Sequence, residues 1–87
     1  MNPYIDEGQI RTFDPNVDSH ELVWHRDRED RIVTVLEGRG WSFQADDCLP
    51  VELERGDVFR IPKMSYHRIL KGTSPLRLHI LKAVNVS

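Results

Sequence analysis

Cysteine is almost missing from this chain: Cys48 stands alone among 87 residues, which excludes an intrachain disulfide. Also missing is any run approaching the roughly 20 apolar residues that a membrane-spanning helix needs. The first residues lack the apolar stretch of a secretory signal, so a cytoplasmic protein without membrane contact is expected. There is no basic excess either. The 12 Lys and Arg are dispersed among 14 Asp and Glu for a formal net charge of −2. Without a positive field nothing recruits a phosphate backbone, and nucleic acid is not an expected partner. No internal repeat, low-complexity segment or convincing helical pattern is present.

What the sequence has is punctuation. Glycines, prolines and polar turns fall at short intervals, and the segments between them alternate or are rich in β-branched residues, the pattern of an all-β sandwich or barrel. Strands are expected at Leu22 to Asp27, Arg31 to Glu37, Trp41 to Ala45, Val51 to Leu53, Val58 to Ile61, Tyr66 to Leu70 and Leu76 to Leu81, with a further N-terminal strand at Ile10 to Phe13. Alternation puts His25 and Asp27 on one face of their strand and Arg31, Val33 and Val35 together on one face of theirs. In the last strand, Leu76, Leu78 and Ile80 compete with Arg77, His79 and Leu81 for the buried face. An 87-residue chain is one domain, able to bury only roughly 60–65% of its unfolded surface. A homodimer that covers a sheet face or the N-terminal strand is therefore expected, with light scattering as its test.

Two spaced motifs carry the chemistry. The first is His25-x-Asp27-x3-Arg31-x6-Gly38, ending in Val35-Leu36-Glu37-Gly38; the second is Gly56-x5-Pro62-x-Met64-x2-His67-x3-Lys71. Together they resemble the cupin family, whose motifs read G-x5-H-x-H-x3,4-E-x6-G and G-x5-P-x-G-x2-H-x3-N. Asp27 stands at the second histidine position, Arg31 at the glutamate, Met64 at the second motif's inner glycine and Lys71 at the asparagine. The resemblance implies an all-β, cupin-type double-stranded β-helix (jelly-roll) barrel. It makes residues 1–87 a single cupin domain, with a motif core at about 22–82 and an N-terminal strand or arm over 1–20. It also implies that His25, Asp27, Arg31 and His67 converge among Val33, Val35 and Ile69.

Two imidazoles and one carboxylate can hold one face of a divalent ion and leave positions free for other ligands, an environment that suits Fe(II) and serves Mn(II), Ni(II) or Zn(II). His25, Asp27 and His67 are the expected metal ligands, in a barrel that binds a small molecule. Arg31 cannot coordinate, because a guanidinium stays protonated. It is expected either to orient an anionic group of that molecule or to form a salt bridge with Asp27. Glu29 or Asp30 can substitute as a ligand if the turn before Arg31 is irregular. Tyr66, Arg77 and His79 are candidate pocket residues. Two alternatives stay open: a metal-free binding or interaction module with a polar network in its pocket, and a miniature 2-oxoglutarate oxygenase in which Arg77, ten residues past His67, faces the cavity.

Overall fold

Apart from Leu22 to Asp27, the same short segments appear as strands in the computed structural model, which describes residues 9–82. They are β1 Gln9–Phe13, β2 Arg31–Glu37, β3 Ser42–Ala45, β4 Val51–Glu52, β5 Val58–Ile61, β6 His67–Leu70 and β7 Leu76–Lys82, with one 3-10 turn at His20–Leu22. Every pairing is antiparallel. One sheet has the order β1-β7-β2-β5 and the other β4-β3-β6. Two such sheets facing one another are compatible with a cupin-type sandwich.

Side-chain alternation decides what lies between the sheets. Arg31, Val33 and Val35 of β2 are buried, as are His67 and Ile69 of β6, while the intervening residues are only partly covered. For β7 the open choice falls to Leu76, Leu78 and Ile80. Arg77 and His79 lie on the opposite face, where Arg77 Nη1 is 3.9 Å from Glu37 Oε1 and His79 is in register with Thr34 and Ile10. Trp41 closes the far end of the core and donates from Nε1 to the Ser74 carbonyl at 2.6 Å. A side chain at Gly72 would overlap the Arg39 carbonyl and the Trp41 backbone, so the turn before β7 approaches β3 in a way only glycine allows.

The strand expected over Leu22 to Asp27 does not form; only an isolated bridge at His25 remains of it. Ser19 accepts a hydrogen bond from the Glu21 backbone through its hydroxyl and caps the 3-10 turn, so the chain enters this segment coiled. Only His25 then pairs its backbone with β6, exchanging two hydrogen bonds with His67, of 3.0 and 2.9 Å. That one rung adds the segment to the free edge of β6 and sets the two histidines side by side. Farther along, Met64, at the glycine position of the second motif, adopts φ +64°, in the left-handed region that glycine tolerates and a side chain resists. Its backbone N–H donates to the Asp27 carbonyl at 2.6 Å, which fixes the loop carrying that carboxylate.

Candidate metal centre

Both histidine rings are oriented by their own backbone neighbourhood. His25 Nδ1 lies 2.7 Å from the Val23 carbonyl and His67 Nδ1 lies 2.9 Å from the Ser65 carbonyl. A carbonyl only accepts, so each Nδ1 carries the proton and each Nε2 of a neutral ring presents a lone pair. An Nδ1–H held by a backbone carbonyl is also the usual support of a metal-ligating histidine. The rings meet edge to face with centroids 4.3 Å apart, and Phe43 stacks on His67 at 5.6 Å. Burial holds the His67 imidazole below its ordinary pKa. Nearby His25 adds to that effect, while the Ser65 hydrogen bond and the charges of Asp27 and Glu21 oppose it.

Two carboxylates face these lone pairs. Glu21 Oε2 is 2.8 Å from His25 Nε2, and Asp27 Oδ2 is 3.2 Å from His67 Nε2, with Asp27 Oδ1 4.0 Å from His25 Nε2. These contacts do not have hydrogen-bond geometry: His25 Nε2, His67 Nε2 and Asp27 Oδ2 are buried and lack a hydrogen-bond partner. Three buried polar atoms left without partners in one place are costly unless something binds them. Lone pairs aimed at carboxylate oxygens are the donor set of a divalent cation. Glu21, His25 and His67 each offer a ligand atom within 4.8 Å of the other two.

Sequence reasoning placed His25, Asp27 and His67 here and missed Glu21. Its one local signal was the Ser19-x-Glu21 cap; the chain is extended again at Val23, so the 2.8 Å approach of Glu21 to His25 comes from the path of this segment and not from helical spacing. Arg31 is buried in the expected position, and its charge is already committed. Its Nε and Nη2 donate to Glu29 Oε1 at 3.0 and 2.8 Å, and Nη2 lies 3.3 Å from Asp27 Oδ1. Glu29 is thus bound to Arg31 and does not serve as a substitute ligand. Asp30 accepts from the Lys63 backbone at 2.8 Å, pairs with Arg60 at 3.3 Å, and stays outside as well. Tyr66 is half-exposed under the Arg26 guanidinium, on the outer side of β6 rather than between the sheets. Arg77 and His79 also face away, so Arg77 does not meet the 2-oxoglutarate oxygenase reading, which needs it in the cavity.

The space described beside the histidines is small. The cavity beside Glu21, Arg31 and His67 has a volume of about 20 Å³, walled by Phe43, Phe59, Val33 and Ile69 among others. That is room for one water molecule or one ion.

No family model matches the chain, and no curated protein matches it. Two solved structures share its fold. One, described as a "putative mannose-6-phosphate isomerase" from Ralstonia eutropha JMP134, superimposes with a TM-score of 0.62 at 16% identity, over 97% of this chain and 92% of that one. The other, protein NMB1881 from Neisseria meningitidis, gives a TM-score of 0.58 at 16% identity, over 95% of this chain and 88% of that one. At such identities the likeness concerns the fold alone.

Proposed function

We propose that this protein is a single-domain, cupin-type metal-binding protein whose divalent ion is held by His25, His67 and Asp27, with Glu21 completing the set. The observation that carries this reading is the pair of buried Nε2 lone pairs, each fixed by an Nδ1–H bond to a carbonyl and each facing a carboxylate without a hydrogen bond. The surrounding charge agrees. Arg11 and Arg31 face Glu21, Asp27 and Glu29, so the guanidiniums are outnumbered and the cluster is left negative beside two imidazoles. Burying that excess without a cation is unfavourable.

The cavity beside the histidines is water-sized, so a small molecule that meets the ion there has to displace one of the residues around it. A hexose phosphate, the substrate suggested by the name of the Ralstonia neighbour, is larger than this one cavity. Arg31, engaged by two carboxylates, is not free to orient an anion. The homodimer belongs to the same proposal: β1 is an edge strand with Ile10 exposed, and a dimer mass in light scattering is expected.

Elemental analysis after dialysis and anaerobic reloading with Fe(II), Mn(II), Ni(II) and Zn(II) tests the reading. About one retained ion per chain is expected; a protein that retains none of the four after reloading is the metal-free module instead.

A further inference from the structure

Glu21 differs from the other three metal-facing residues in how it is held. Its side chain is 16% exposed, against 4% for His25, 9% for Asp27 and 2% for His67. It rides on a three-residue 3-10 turn that buries none of its own residues and is capped by one Ser19 hydroxyl. Asp27, by contrast, is pinned by Arg31 and by the Met64 N–H on its carbonyl. If any one carboxylate gives way to an incoming ligand, it is Glu21, which itself lines the water-sized cavity beside the histidines.

The partner of Glu21 says what takes its place. Glu21 spans two groups: Oε1 is 3.2 Å from Arg11 Nη1 on β1, and Oε2 is 2.8 Å from His25 Nε2. Among the described residues Arg11 has no other ion-pair partner, whereas Arg31 has two. Once Glu21 swings out, a guanidinium with free donors borders the opening next to the imidazoles. It calls for a planar anion that can put one oxygen on the guanidinium and the other toward His25.

We propose that Glu21 is a built-in occupant of a carboxylate site, and that the protein's ligand is a small monocarboxylate that displaces it and docks on Arg11. The inference rests on the metal-binding reading and goes beyond it in naming a ligand class and the residue that selects it. The exchange conserves charge, one carboxylate leaving as another enters, and requires motion of only the 3-10 turn. Arg11 is then a specificity residue reached from the N-terminal strand, outside both sequence motifs.

The test is a titration of the Co(II)-loaded protein with acetate, read in the visible d–d bands, with acetamide and sodium chloride at matched concentration as controls. The wild-type protein is expected to show a saturable spectral change with acetate alone. Glu21→Gln, which removes the negative competitor, is expected to bind acetate at least about tenfold more tightly, and Arg11→Met to lose the response. A Co(II) spectrum that is insensitive to acetate in both wild type and Glu21→Gln overturns the carboxylate site and leaves the metal centre standing. So does an acetate response of unchanged affinity in Arg11→Met. Failure of the wild-type protein to take up Co(II) at all overturns both.

Discussion

His25 and His67 are joined through the backbone as well as through their rings: each N–H donates to the other's carbonyl, and the imidazoles meet edge to face 4.3 Å apart. The rung positions two lone pairs that neither carboxylate neighbour satisfies. Removing one ring therefore leaves the other's scaffold in place. His67→Ala is expected to abolish retention of a divalent ion, at least a hundredfold in affinity, while far-ultraviolet circular dichroism stays β-type. Metal content unchanged in this variant would place the ion elsewhere.

The pH dependence of the metal-free protein follows from His67. Its folded pKa lies below the unfolded value of about 6.5. Between the two values the unfolded chain binds more protons, so stability rises with pH through that window and is lowest below the folded pKa. The urea midpoint of chelator-treated protein is expected to fall on acidification from about pH 7.5 to 5, and less steeply in His67→Gln. Asp18 and Asp30 are both held below the usual carboxylate range, Asp18 by Lys71 and Asp30 by the Lys63 N–H. Their contribution is present above about pH 3.9 and is lost only in stronger acid. A flat midpoint between pH 7.5 and 5 would show that His67 is not buried as the neutral ring.

Arg31 stands where the cupin motif that this sequence resembles has a ligand, and its role here is compensation. Arg31→Met strands Asp27 and Glu29 around a buried gap, and loss of about 3 kcal/mol is expected in equilibrium unfolding of the metal-free protein. Glu29→Ala, at the more exposed end of the same network, is expected to cost less than about 1 kcal/mol. Equal costs for the two variants would mean that Asp27 does not depend on Arg31.

Met64 is held in left-handed backbone conformation at a position suited to glycine. Met64→Gly is expected to stabilise by up to about 1 kcal/mol, with relief of the backbone strain only partly offset by the added freedom of the unfolded chain. A lower thermal midpoint for this variant would show that the half-exposed methionine side chain matters more than its φ.

Much of this was legible in the sequence wherever side-chain alternation controlled the outcome. Arg31, Val33 and Val35 face inward as their spacing predicts, and His67 and Ile69 do the same. The misreading over Leu22 to Asp27 came from composition: Leu-Val-Trp has strand character, but the Ser19 cap coils the chain before it can pair. Glu21 was missed for the same reason, since its closeness to His25 exists only if those residues turn. Its second anchor, Arg11, lies on a strand that pairs with β7, a contact no local pattern encodes. The commitment of Arg31 to Glu29 likewise depends on a two-residue back-reach across a bend, and alternation along a strand says nothing about bends.

The rung between His25 and His67 also gives the molecule a local clock. Amide protons on long ladders report the stability of whole sheets, but the His25 amide is bonded to β6 through an isolated bridge, flanked by residues that make no further strand pairing there. Its solvent exchange therefore times the undocking of one short segment, the one that also carries Glu21 and Asp27, and exchange should slow at that amide before any other when the centre is filled.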